Sequence, residues 1–279
     1  MKHTRLLLLI AILLFSQQTL NAQKDNVPIG ARSTAMGGAS VCLNDFWSLH
    51  NNQAGMAGYN QMAAGIYGEN RFMMKELSQG AFGFVMPVKG AGVFGLNYNY
   101  FGYSLYRESK VGLAYAMAFG DKISGGIQLD YINTHIGEDY GNANIFTFEL
   151  GLQAKLIKNL VLGVHVYNPV HVKVSKYGSD RVPVIFKGGL SYSFSDKAIV
   201  AIETEKDLNQ KARFKAGVEY HVVKPVYLRV GISTNPFSNS FGVGLEFGNF
   251  KADISASRHQ VLGFSPQISM VYSFKKRTS

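Results

Sequence analysis

From Gln61 onward the chain divides into about fourteen segments in which apolar and polar side chains alternate, each roughly nine to thirteen residues long. The cuts fall at 61–69, 78–88, 91–101, 109–119, 122–134, 144–156, 159–168, 182–194, 198–206, 211–223, 226–234, 239–248, 250–258 and 265–274. In the eighth, Val184, Phe186, Leu190, Tyr192 and Phe194 share one face and Lys187, Gly189, Ser191 and Ser193 the other. In the tenth, Phe214, Ala216, Val218 and Tyr220 oppose Arg213, Lys215, Gly217, Glu219 and His221. Period two is the repeat of a strand with unlike faces, not of a helix. Nine to thirteen residues is the length a tilted strand needs to cross a bilayer.

Alternation alone also fits a soluble sandwich. The connections decide between the two. They run long, short, long, short: Asn70–Leu77 then Lys89–Gly90, Gly102–Glu108 then Gly120–Asp121, His135–Ala143 then Ile157–Lys158, Pro169–Arg181 then Ser195–Lys197. Outer-membrane barrels place long loops outside and tight turns in the periplasm on alternate hairpins. Closure also removes sheet edges, whose unpaired groups cost several kcal/mol each in hydrocarbon. The pattern therefore predicts an all-β chain: a transmembrane antiparallel β-barrel of about fourteen strands, or twelve if two short segments are loops, over residues 61–274. Tyr98, Tyr100, Phe119, Phe194, Tyr220, Phe247 and Tyr272 near segment ends fit aromatic girdles.

Residues 23–60 break the pattern. Gly30, Ala31, Ser33, Ala35, Gly37, Gly38, Ala39 and Ser40 are small and closely spaced, with too little bulk for a core of their own. This segment is expected inside something larger, with Phe46, Trp47 (the only tryptophan) and Met56 as anchors and Asn44, Asn51 and Asn52 in turns. Ahead of it, residues 1–22 read as a secretory signal: Lys2 and Arg5, an apolar run from Leu6 to Phe15, and "LNA" before Gln23. That run is too short to span a bilayer.

Composition changes the picture little. The single cysteine, Cys42, excludes an intrachain disulfide, and a formal charge of +10 is scattered over turns and inward positions rather than gathered on a basic stripe, which argues against a nucleic-acid partner. Residues 275–279 form a basic tail. The inward faces of the ninth to thirteenth segments carry Glu203, Glu205, Arg213, Lys215, Glu219, Arg229, Glu246, Lys251 and Asp253. A hairpin around Asp207–Gln210 sets Glu205 opposite Arg213 and Glu203 opposite Lys215, and a tight turn sets Glu246 opposite Lys251. Paired carboxylates can do acid–base work, but a ladder of alternating charge that stiffens a narrow lumen needs no reaction. The histidines form no HExxH or Cys/His spacing, so neither a metal nor a cofactor is expected and no catalytic residue is assigned.

The leader "GARSTAMGG" followed by "LNDFWSLHNNQAGMAG" resembles the N-terminal hatch of the FadL/PorV/PorQ superfamily of outer-membrane barrels, with Gln53 where that family has proline. The resemblance implies a hatch inside the barrel, with Arg32, Met36, Gly37, Gly38, Asp45, Phe46, Trp47, Asn52 and Met56 as hatch residues and candidate ligand contacts. It implies a bacterial outer-membrane location among lipid and lipopolysaccharide. Two roles come with it. The first is that of PorV/PorQ-type proteins, accessory parts of type IX protein secretion and surface attachment, with secretion-system subunits as partners. The alternative is FadL-like transport of hydrophobic small molecules past a moving hatch. Outer loops of at most about a dozen residues leave little surface for a deep ligand basin, and chain size and motif shape put the secretion role first.

Overall fold

The computed structural model describes residues 27–137, 141–170, 172 and 181–274. The signal expected over 1–22 and the tail 275–279 lie outside them. Fourteen strands follow a short helical leader: β1 (Ala63–Asn70), β2 (Ser78–Val88), β3 (Gly92–Gly102), β4 (Tyr106–Phe119), β5 (Ile123–Ile136), β6 (Gly141–Ile157), β7 (Leu160–Tyr167), β8 (Ile185–Ser195), β9 (Ala198–Asp207), β10 (Arg213–Val223), β11 (Val226–Ser233), β12 (Ser238–Phe247), β13 (Phe250–His259) and β14 (Gly263–Ser273). Each pairs antiparallel with its sequence neighbours, and β1 pairs with β14 from Ala63↔Ser273 to Glu69↔Gln267, closing the ring. All fourteen alternating segments are strands, so the twelve-strand variant falls away.

The apolar face looks outward. Ile66, Leu113, Leu129, Phe146, Phe214, Val230, Phe241 and Ile254 are all exposed on the outer wall, while alternate residues beside them, among them Asp130, Thr147, Lys215, Arg229, Ser240 and Asp253, are buried inside. A wall that exposes this much contiguous apolar surface needs a solvent of acyl chains. Phe119, Phe194, Phe247 and Tyr272 stand exposed near the tight-turn end, as an aromatic girdle requires. The protein is an outer-membrane β-barrel.

Three details depart from the pattern read in the sequence. First, β4, β5 and β6 run to 14, 14 and 17 residues, so most of the loops expected at Gly102–Glu108 and His135–Ala143 are ladder. Polar cross-strand pairs hid this: Asn133 donates to Asn144 at 2.6 Å, and Phe101 stands opposite Glu108. Only Tyr103–Leu105 joins β3 to β4, closed by Tyr103 N–H donating to the Tyr106 carbonyl at 2.7 Å. Long and short connections therefore alternate less regularly than expected.

Second, Val184 is buried instead of facing lipid, because β8 begins at Ile185 and not at 182 as expected, which leaves Val184 in the connection before it. Third, the wall is uneven. β7 ends at Tyr167, opposite Glu149, and Asn168 N–H adds one more bond to the Phe148 carbonyl, so among the described residues the outer part of β6, residues 141–147, has its ladder with β5 alone.

Candidate functional site

The leader folds as two short helices, α1 (Ala31–Ala35) and α2 (Ser48–Asn51), and a 3-10 turn at Gln53–Gly58. Neither helix has a side-chain cap at its N-cap residue, but side chains of the leader tie down its turns. Asp45 Oδ1 accepts from Ser48 N–H at 3.1 Å, and Asn52 Oδ1 accepts from Ala54 N–H. Asn51 both accepts from Ile29 N–H and donates to Ile29 C=O, binding the two ends of the segment together. Gly37 and Gly38 have φ of +68° and +80°, a left-handed bend that side chains avoid.

This segment lies against the inner face of the wall around its whole circumference. An added Cβ would strike Phe46 at Gly65, Leu49 and Phe46 at Gly83, Leu49 and Met56 at Gly95, and Gln53 and Ala54 at Gly126. Asn52 closes on Gly151, Val41 and Cys42 on Gly163, Val41 on Gly189, Met36 on Gly217, Gly37 on Gly231 and Ala35 on Gly242. On β13 and β14 serines do the same work: Thr34 and Ser255 share a hydrogen bond at 2.8 Å, and Ala31 N–H donates to Ser269. On β9, Glu203 accepts from Ser40 and Val41 N–H, both at 2.8 Å. The wall thus carries a belt of inward glycines because the leader, by its side chains at Gly65, Gly83 and Gly95 and by its backbone at Gly126, Gly163, Gly217 and Gly231, occupies the space that wall side chains would take.

Three charged clusters fasten the leader. Arg32 donates two bonds to Glu219, both at 2.7 Å, and a third to Asp45 at 2.9 Å. Glu219 also accepts from Arg229, which donates to Asp253 at 2.6 Å. A bidentate guanidinium–carboxylate pair fixes orientation as well as charge. Lys215 bridges Glu203 and Glu205 at 2.8 and 2.7 Å, and Arg213 reaches Glu205 at 3.3 Å. The pairs Arg213↔Glu205, Lys215↔Glu203 and Glu246↔Lys251 are those the hairpin reading expects. Glu246 and Lys251, 3.1 Å apart, sit half-exposed at the tight-turn rim, away from the buried ladder.

The third cluster lies on the opposite wall, where sequence reasoning assigned nothing. Glu149 accepts from Lys110 at 2.7 Å and from leader residue Gln53 at 2.9 Å, and lies 2.9 Å from His165 Nε2. Gln128 links this group to Asp130 and Asn97. Several atoms here are buried without a partner, among them Asp130 Oδ2, His165 Nδ1 and Gln53 Oε1. His50 of α2, also unpartnered at both ring nitrogens, is pushed down to about 3 by burial and is neutral. Among the described residues no group of three or more His, Cys, Asp or Glu could hold a metal ion.

Met36, Phe46, Trp47, Asn52 and Met56 are at most 2% exposed. Phe46, Trp47 and Met56 pack with Leu49 and the small wall residues Ala63, Ala81, Ala114 and Ala116. In this closed arrangement they seat the leader and present no surface to a ligand. The apolar surface that sequence reasoning missed is elsewhere. Inward-facing Ile132, Ile145, Tyr167 and Ile185 cluster with Val182 and Val172 of the β7–β8 connection. Tyr167 joins this patch to the polar network, with the Lys110 ammonium 5.3 Å from its ring centre.

No protein-family model matches the sequence, and no curated protein matches it. Solved structures do. The chain is similar to the CymD monoaromatic hydrocarbon channel, with a TM-score of 0.70 at 14% identity over 90% of this chain and 99% of that one. It is similar to the Pseudomonas putida toluene transporter TodX, with a TM-score of 0.63 at 14% identity over 88% and 96% of the two chains. A Pseudomonas aeruginosa FadL homologue gives 0.65 at 13% identity over 89% and 98%. At such identities the likeness is one of fold, and the fold is that of FadL-type outer-membrane barrels. The first-placed expectation, a PorV/PorQ-type accessory role in type IX secretion, is corrected by these neighbours, which are channels and transporters of small molecules.

Proposed function

We propose that the barrel admits hydrophobic small molecules from the outer face and that residues 23–60 act as its hatch, after removal of residues 1–22 as a signal. It is a conduit with no reaction of its own, set among outer-membrane lipid and lipopolysaccharide. The observation that carries this reading is the patch of Ile132, Ile145, Tyr167 and Ile185 inside the lumen. A pore for water and ions is lined by polar side chains. Here inward positions on four consecutive strands are apolar, under a connection that contributes valines. The fold shared with a monoaromatic hydrocarbon channel and toluene transporters supports the same class of solute.

The patch is wired to the hatch. Tyr167 meets Lys110, Lys110 meets Glu149, and Glu149 holds Gln53. Passage along the barrel axis requires the hatch to yield, because it packs against inward glycines of most of the strands. The test is toluene uptake by cells carrying the protein, compared with the Ile132→Asn/Ile145→Asn variant. Uptake should fall at least about tenfold, since two buried apolar contacts of about 1.5 kcal/mol or more each are exchanged for amides. The variant should keep its heat-modifiable migration. Unchanged uptake in a correctly folded variant overturns the reading.

A further inference from the structure

At the tight-turn end, a cavity of about 240 Å³ lies between the hatch and the wall. On its floor Ala54, Ala57 and Gly58 of the 3-10 turn face Ala118, Ile123 and Val161 of the wall, with the polar side chains of Asn44, Ser124 and Gln153 beside them. Its rim is charged. Lys122 and Lys155 both line it, brought together where Lys155 N–H donates to the Lys122 carbonyl at 2.7 Å, and the only carboxylate in the lining is Asp121. Two ammonium groups against one carboxylate leave the rim net positive. A cavity of about 150 Å³ is enough for benzene, so this one has room for a ring and a charged substituent. We propose that it is a periplasm-side binding site for a compact organic anion, an apolar body bearing a carboxylate.

The floor would remove the apolar body from water, and the lysines would receive the charged end while it stays partly hydrated, so neither group is desolvated without compensation. On the transport reading, on which only this role rests, the site is a station where a solute leaves the hatch. It is distinct from the apolar patch of β5–β8, from which the hatch separates it.

The mature protein in lipid nanodiscs can be titrated with 4-fluorobenzoate and with the uncharged 4-fluorobenzamide, following the fluorine resonance. The anion should bind at least about tenfold more tightly, which corresponds to about 1.4 kcal/mol. Lys122→Gln/Lys155→Gln, a change of exposed side chains, should erase that preference while leaving the fold intact. Gly58→Phe should abolish binding of both probes, because a Cβ at Gly58 meets nothing within 4 Å and the ring can extend into the cavity. Equal affinity for the two probes, a preference that survives the lysine double variant, or fluorobenzoate binding that survives Gly58→Phe each overturns the proposal. Toluene uptake measured in parallel separates the two readings. Uptake without fluorobenzoate binding removes this site and keeps the conduit, whereas binding to a protein that takes up no toluene keeps the site and removes the conduit.

Discussion

Arg32 makes three charge-assisted bonds, two to the wall and one within the leader, so its loss removes a clamp and leaves Asp45 without its cation. Breaking one partner of a buried pair costs about 3–5 kcal/mol. Cys42 reports the consequence. It is buried against Gly163, and burial together with the nearby Glu203 carboxylate pushes its thiol up to about 12, so with the leader seated it is protonated and inert at pH 8. Maleimide labelling at pH 8 should be slow in the native protein and at least about tenfold faster in Arg32→Ala, as the clamp energy requires. The pH dependence has a definite sign. Above its ordinary value of 9.0 the freed thiol ionises while the seated one does not, so the closed state loses stability as pH rises from there towards 12. Labelling should therefore climb more steeply over that range than the ionisation of a free thiol. Rapid labelling of the native protein at pH 8 would show that the leader is not seated. At this scale the sequence was legible wherever both partners lie on one hairpin, as with Glu203 and Lys215. Lys110 and Glu149 lie on β4 and β6 with β5 between them, so no hairpin pairs them, and only the folded sheet shows that they meet.

Strands were the most legible elements, because a wall between lipid and a filled lumen enforces period two on every segment. The outer hairpins were the least. Their polar residues look like loop in a sequence, yet pair across a ladder once the strands extend beyond the bilayer. The glycines have a dual identity that the alternation alone does not reveal. Gly217 and Gly231 are cross-strand partners facing inward, and so are Gly126 with Gly151 and Gly163 with Gly189. Leader backbone fills the space over each pair. Gly188, one residue from Gly189, faces the other way and a Cβ there meets nothing within 4 Å. Gly231→Val should therefore destabilise the seated leader by about 1–3 kcal/mol through overpacking against Gly37, and expose Arg32 to trypsin. Gly188→Val should leave the tryptic pattern unchanged. Equal sensitivity of the two variants would mean that the belt does not hold the leader.

For the molecule as a whole, the leader motif announced the fold and misdirected the function, and its contacts explain why. Gly37 fits between β10 and β11, Arg32 grips the wall, and Asn51 and Asn52 close the segment on itself. These residues encode how the leader is seated against the wall, and nothing about what passes through the barrel. The ring, by contrast, owes its closure to wall residues alone: every strand has both neighbours, including β1 with β14. Removing residues 27–58 would leave that hydrogen-bonded circuit whole and the outer apolar surface unchanged. Inside, water would replace the leader around Glu203, Glu219 and Glu149, groups for which hydration is an adequate substitute. The shortened chain should therefore still insert and show heat-modifiable migration, but with an open polar channel through the belt. In planar lipid bilayers it should pass ionic current in stable steps, where the full-length protein is closed. A truncated barrel that inserts yet stays non-conducting would mean that wall side chains seal the lumen themselves, and the leader could then not be the gate.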